Sequence, residues 1–122
     1  MKKFKVIFML LTIVFLLTSC YSTKNNASPK NVLKNNSEAD FFVMKNVVYV
    51  NATGIDGIKE LTLKEESALG KIKRTGVKSF FTNWSATKLK TNTEIYKVEH
   101  REDLVLAKVG NEFIPYLKHI EG

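Results

Sequence analysis

The feature that most constrains the fold is the cysteine content: Cys20 is the only cysteine among 122 residues, so no internal disulfide can stabilise the folded state. Cys20 follows three lysines near the start of the chain and an almost wholly apolar run, Val6 to Leu17. As a helix that run would be about 18 Å long, against about 30 Å for a bilayer core. A charged start before a short apolar run is typical of a signal peptide. The alternative is an uncleaved membrane anchor.

The residues that end this run, Leu17-Thr18-Ser19-Cys20, resemble a lipobox, in which an aliphatic residue and two small residues precede a cysteine. In that class of signal a diacylglycerol is attached to the cysteine thiol, and a peptidase cuts before the cysteine. We therefore expect residues 1–19 to be a lipoprotein signal peptide and Cys20 to carry the lipid. The chain would then be held at the extracytoplasmic face of the cell membrane through this covalent lipid.

Loss of the signal peptide would change the charge of the protein. It removes three of the 19 basic side chains and none of the 12 acidic ones, which lowers the net charge from +7 to +4. Residues 20–39 are rich in Asn, Ser and Lys and poor in apolar side chains. Such a segment buries too little surface to offset its conformational entropy, so we expect a flexible, disordered tether. Residues 40–122 then form a single domain.

Two hairpins are predicted in this domain. Phe41 to Met44 and Val47 to Val50 are β-prone runs separated by two residues, Lys45-Asn46, which is the spacing of a tight hairpin. Near the carboxyl end, Leu104 to Val109 and Phe113 to Leu117 flank Gly110-Asn111, which fits a type II′ turn. Pro115 lies in the last run and cannot donate a ladder hydrogen bond, so we expect an edge or bulged strand there.

The middle of the domain has weaker signals. Thr62 with Glu65 three residues later fits a capping box, and Gly70 could end the helix that it starts. Gly70 to Gly76, Val77 to Phe81 and Ile95 to Val98 are possible strands. The whole pattern predicts a mainly β domain, a small antiparallel β-sandwich or barrel with one short helix.

Residues that could support catalysis are scattered. The two histidines, His100 and His119, have no partner at metal-ligand spacing, and Ser67, Ser79 and Ser85 lie outside any glycine-flanked elbow. There is no glycine-rich phosphate loop. We therefore expect a chain that is not an enzyme and that uses neither a metal nor another cofactor.

A basic stretch between residues 71 and 97 is the strongest charge feature, with Glu94 as its only acid. One interpretation is a solvated face; the other is attraction to anionic lipid headgroups or wall polymers. Nucleic acid is not an expected partner, because the lipid anchor places the domain outside the cell. The basic residues are Lys71, Lys73, Arg74, Lys78, Lys88, Lys90 and Lys97.

Three aromatic residues, Phe80, Phe81 and Trp84, lie within the basic stretch. They could be core residues, or they could form part of a surface that takes an apolar or peptide ligand. Consecutive residues of a strand point to opposite faces, so we expect at least one of the three to be exposed. The predicted contact surface comprises these aromatics with Lys71, Lys73 and Lys78.

The lipobox, the Asn- and Lys-rich tether and the short β-prone domain are similar to those of small lipoproteins of Gram-positive bacteria. The order of features in the domain, from Val48-Tyr49-Val50 through Leu69-Gly70 and Ile95-Tyr96 to the strand Leu104 to Val109, resembles the lantibiotic-immunity lipoproteins of the nisin and subtilin type. That resemblance implies a protective role against a membrane-active peptide. The sequence thus favours a lipoprotein with a binding or protective role. The alternative is an envelope accessory that contacts a membrane protein or wall polymer.

Overall fold

The computed structural model describes residues 28–120. This part of the chain contains two short helices, α1 (Pro29–Asn35) and α2 (Asp56–Lys59). Neither is long and apolar enough to cross a bilayer. The six strands are β1 (Phe41–Met44), β2 (Val47–Asn51), β3 (Glu65–Lys71), β4 (Glu94–Val98), β5 (Arg101–Val109) and β6 (Glu112–Lys118).

The six strands form one antiparallel sheet in the order β1-β2-β6-β5-β4-β3. The sheet curls into a half-barrel, and the predicted mainly β, antiparallel fold is confirmed. Strands β1 and β3 are its two edges. The long segment between β3 and β4, residues 72–93, contains no strand and is called the connection below.

Both predicted hairpins are present. Lys45 and Asn46 have φ values of 52° and 62°, the two positive values that a type I′ turn requires. In the second hairpin Val109 pairs with Glu112, and only Gly110 of the two turn residues has a positive φ, as in a type II′ turn. Two-residue loops therefore set the register of β1 with β2 and of β5 with β6.

Pro115 lies in β6, which is an interior strand in regular register with β2 and β5, so the predicted edge or bulged strand is wrong. The Pro115 carbonyl accepts the N–H of Ala52 at 2.9 Å, one residue past the end of β2. The missing N–H would face the Ala52 carbonyl, which instead accepts the N–H of Ile55 at 3.1 Å. Proline is tolerated here because the neighbouring strand has already turned away.

The predicted helix from Thr62 to Gly70 is also wrong, because residues Glu65–Lys71 form edge strand β3. Leu63 packs against the cluster on one face of the sheet and Leu69 against the cluster on the other. An extended segment that runs along the sheet edge can reach both faces, whereas one face of a short helix cannot. The short helix of this region is α2, which buries Ile58.

The possible strands Gly70 to Gly76 and Val77 to Phe81 are not formed beyond Lys71. The connection instead makes two isolated β-bridges, one of them internal, between Arg74 and Ser85, and one to β1, between Phe42 and Ala86. Its backbone donors and acceptors are therefore used in local turns and at the β1 edge. Ile95 to Val98, by contrast, lies in β4 as predicted.

The core follows the two-residue alternation of the strands. The inner face, which the connection covers, has a cluster made of alternate strand residues with Ile72, Ala86 and Leu89 of the connection. The outer face has one cluster under the α2 segment and a second under α1. Both faces of the sheet are thus covered. The strand residues of the inner cluster are Phe42, Met44, Tyr49, Ile95, Val105, Ala107 and Tyr116.

Helix α1 lies in the second half of the segment that the sequence predicts to be a flexible tether. Val32 and Leu33 pack against the outer cluster that contains Phe41, and Ala39 is buried in that cluster. Residues 29–39 thus adopt regular or packed structure, because the β1 hairpin offers an apolar face to cover. The predicted signal peptide, residues 1–19, and Cys20 lie outside the described residues.

Candidate binding surface

The connection carries most of the predicted contact residues. Its two ends are bonded to each other next to β3, and its middle part is bonded to edge strand β1. On the β3 side, Ile72 N–H donates to Thr93 O at 2.9 Å, and Asn92 N–H donates to Ile72 O at 2.7 Å. On the β1 side, Val43 N–H donates to Ser85 O at 2.9 Å. The 22-residue connection thus crosses the inner face of the half-barrel between these two attachments.

Two hydroxyl groups stabilise the part of the connection next to β1. The buried Ser85 Oγ accepts the N–H of Thr82 at 3.2 Å. The Thr87 Oγ1 accepts the N–H of Phe41 at 3.0 Å and donates to the carbonyl of Ala39 at 2.7 Å. Ser85 therefore has a structural role, since its buried hydroxyl is bonded to both the N–H and the hydroxyl of Thr82.

The three aromatic residues have different environments. The Phe80 side chain is 88% exposed, which agrees with the expectation that at least one of the three aromatic residues is exposed. Phe81 is half-buried, with its ring centroid 5.4 Å from that of Phe41. Trp84 is half-buried against the inner cluster. The difference arises from loop geometry and not from strand alternation, because residues 77–84 form no strand.

Phe80 and Trp84 both have a left-handed backbone conformation, with φ values of 54° and 68°. Positive φ is uncommon for bulky residues. At Phe80 it is held by Arg74, whose Nη1 donates to the Phe80 carbonyl at 3.1 Å. At Trp84 it is held by the backbone, since Trp84 N–H donates to Val43 O at 2.6 Å.

All seven residues of the basic stretch are exposed. Lys88 forms a salt bridge with Glu38, Nζ to Oε2, at 2.9 Å, and this hydrogen bond lowers the pKa of the Glu38 carboxyl. The charge of Lys78 also lowers that pKa, by less than Lys88 does. Within residues 28–120 the other six basic residues have no carboxylate within salt-bridge distance.

A pocket of about 510 Å³ opens where the end of the connection meets the β5–β6 hairpin. Leu89 and Ile114 form its apolar wall, and three lysines contribute to its lining, Lys88, Lys90 and Lys108. A smaller pocket of about 310 Å³ lies on the outer face beside α2 and Phe113. Phe80 lines neither pocket and protrudes from the surface.

A polar network that was not predicted from the sequence reaches the wall of the 510 Å³ pocket, since Asp40 and Tyr116 are among its lining residues. The buried Tyr116 hydroxyl donates to the Asp40 carboxylate at 2.9 Å, and Asn51 Nδ2 donates to the same carboxylate at 2.9 Å. Burial, and then the charge of Asp40, raise the pKa of Tyr116 well above its ordinary value. The only sequence signal was an acid placed directly before an apolar strand. The network joins the start of β1 to β6 and β2.

The histidines are not brought together. His100 is exposed at the β4–β5 turn, with Nε2 3.4 Å from Glu99 Oε1. His119 is exposed after β6, and its backbone N–H donates to Val48 O at 2.8 Å. Residues 28–120 contain no group of three or more His, Cys, Asp or Glu that could hold a metal ion.

No protein family, curated protein or solved structure matches the chain in sequence or fold comparisons.

Proposed function

We propose that the chain is a lipoprotein, anchored by Cys20 to the extracytoplasmic face of the cell membrane, whose β domain binds a partner and catalyses no reaction. The Leu17-Thr18-Ser19-Cys20 motif after a charged and apolar start supports the anchor. The arrangement of the connection supports the binding role.

The observation that carries the binding role is the exposure of Phe80 among basic side chains that have no carboxylate within salt-bridge distance in residues 28–120. An exposed aromatic side chain costs solvation free energy, which a partner can recover. Lys73, Arg74 and Lys78 lie within seven residues of Phe80, and all are exposed. A surface of this kind suits a partner that has both apolar and anionic groups.

The anchoring of the connection supports the same role. Backbone hydrogen bonds hold the connection on both sides of Phe80, since Val77 N–H donates to Ala86 O and Trp84 N–H donates to Val43 O. A pre-ordered surface loses less entropy when it binds. The resemblance to lantibiotic-immunity lipoproteins adds a more specific proposal, protection of the cell against a membrane-active peptide.

Capture of partners from intact cells tests the binding role. The anchored chain and its Phe80→Ala variant would be cross-linked in cells and purified. Phe113→Ala is the matched control, since Phe113 is 37% exposed on a different part of the domain. We expect the wild type and the Phe113 variant to retain the same partner and the Phe80 variant to lose it. Equal recovery with all three proteins would contradict the proposed surface.

Expression in a strain sensitive to a peptide antibiotic tests the protective role. We expect the wild-type chain to raise the inhibitory concentration and Phe80→Ala to reduce that gain. Unchanged sensitivity across a panel of such peptides would contradict protection while leaving the anchor and the binding surface intact.

A further inference from the structure

We infer that Phe80 and the basic residues around it form a wedge that inserts into the anionic headgroup region of the bilayer to which Cys20 is anchored. This inference rests on the proposed function and names the partner of the same surface. The proposed partner of this surface is lipid. Binding of a protein or a wall polymer to the same surface is an alternative that the test below can detect.

The conformation of Phe80 supports insertion. Sparsely populated backbone conformations persist where the surrounding structure fixes them, and they cluster at functional sites. Phe80 combines a φ of 54° with 88% exposure, so the loop holds the ring in water and not against the core. The neighbouring rings differ, since Phe81 and Trp84 are both half-buried. The loop thus presents one protruding aromatic ring beside two rings that are packed against the domain.

The position of Phe80 supports the bilayer as the partner. Its neighbour Phe81 packs against Phe41, in the outer cluster that Val32 and Leu33 of α1 also cover. Phe80 therefore lies on the side of the domain from which the described chain starts, at Ser28. Seven residues lie between Cys20 and Ser28, and the eight Cα–Cα steps from one to the other reach at most about 28 Å in an extended chain. A lipid on Cys20 would keep this side of the domain within reach of the membrane surface.

The charges around Phe80 match an anionic surface. Lys73, Arg74 and Lys78 are exposed and have no carboxylate within salt-bridge distance among residues 28–120. Each such residue near an anionic bilayer increases binding by about fivefold. A single protruding ring surrounded by cations can insert into a lipid headgroup layer, because such a layer deforms to accommodate it. Phe80 lines neither pocket described above, so the surface around the ring offers no cavity for a small ligand.

Depth measurement on the lipid-modified chain tests the wedge. The chain would be purified from cell membranes and reconstituted in vesicles of phosphatidylcholine, alone or with phosphatidylglycerol. A cysteine introduced by Ser79→Cys would carry a fluorophore beside Phe80, and quenchers would be attached to the lipid acyl chains. The control label would be placed by Asn111→Cys, at the exposed tip of the β5–β6 hairpin.

We expect quenching of the label at position 79 in the anionic vesicles and little quenching at position 111. Adding Phe80→Ala should lower the ratio of inserted to free loop by about tenfold or more, the value for removing one buried aromatic side chain. Lys73→Glu with Lys78→Glu should abolish the dependence on phosphatidylglycerol. Equal quenching with and without the Phe80 ring would overturn the wedge.

The labelling itself separates this inference from the proposed function. A lipid on the Cys20 sulfur leaves one free thiol, so each labelled variant takes up one fluorophore. Two fluorophores per chain would show that Cys20 is free, and both proposals would fall. One fluorophore per chain without quenching at position 79 would overturn the wedge alone. Capture of a protein that depends on Phe80 would then assign this surface to that partner.

Discussion

Replacement of Gly70 by alanine tests how the connection is attached to β3. A Cβ atom added to Gly70 would lie 2.5 Å from Trp84 Cζ2 and 2.6 Å from Cη2, far inside van der Waals contact. The main chain of Trp84 cannot easily shift to relieve this contact, because its N–H donates to Val43 O at 2.6 Å and its carbonyl accepts Lys73 N–H at 2.8 Å. Overpacking of this kind costs about 1–3 kcal/mol. We therefore expect Gly70→Ala to destabilise the domain by about that amount.

Urea unfolding of the two proteins measures this cost, and Gly57→Ala is the matched control. A Cβ at Gly57 has no heavy atom within 4 Å, and Gly57 lies in α2, where alanine is the better helix former. The control should be as stable as the wild type or slightly more stable. A second variant, Trp84→Leu, removes the clashing ring atoms, so Gly70→Ala should cost little in its presence. A stable single mutant, or an equal cost with and without the indole, would refute the reasoning.

Three further predictions concern the surface and the core beneath it. Phe80→Ala should change the free energy of unfolding by less than about 0.5 kcal/mol, whereas Phe81→Ala should cost clearly more, towards the 3–5 kcal/mol of a fully buried ring; thermal melts with equal losses would disprove the assignment of exposure. Lys73→Glu with Lys78→Glu should abolish salt-reversible binding to anionic vesicles, and unchanged binding would identify a merely solvated face. Tyr116→Phe should cost about 1.5–3 kcal/mol, because the half-buried Asp40 carboxylate loses a hydrogen-bond donor. The raised pKa of Tyr116 keeps it protonated in the folded state above about pH 10, where the unfolded chain ionises. Its contribution is therefore complete below pH 10 and is lost as the pH rises further, so the variant should lose less stability at alkaline pH than the wild type; parallel curves would contradict this.

Local turn chemistry made the hairpins predictable. Two residues between β-prone runs leave few turn types. Gly110 and Asn46 suit the positive φ that their turns require, whereas Lys45 takes a positive φ without favouring it. Pairing between distant strands left weaker signals. The predicted helix after Thr62 failed because β3 completes the open edge of β4, a long-range contact that outweighs a capping motif. The interior position of Pro115 depends on where β2 ends, which its own neighbours in sequence do not encode.

The candidate surface was predictable in part. The composition of residues 71–97 placed cations and aromatic side chains in one segment, and the expectation that one ring is exposed holds for Phe80. The physical reason for this exposure is not the predicted one. Strand alternation does not apply to Phe80, which lies in a loop with a φ of 54°. The sequence could not show that Arg74 holds the Phe80 carbonyl, since that bond depends on the path of the connection. The Asp40–Tyr116 contact joins residues 76 positions apart and left no local pattern.

Mass spectrometry of the mature chain, after growth of cells with a labelled fatty acid, tests the central claim most directly. The lipoprotein proposal predicts a chain that begins at Cys20 and carries the labelled lipid on its sulfur. The Cys20→Ser variant should carry no label and should be released or mislocalised. A wild-type chain that retains residues 1–19 without lipid, or equal label on the wild type and the variant, would contradict the proposal.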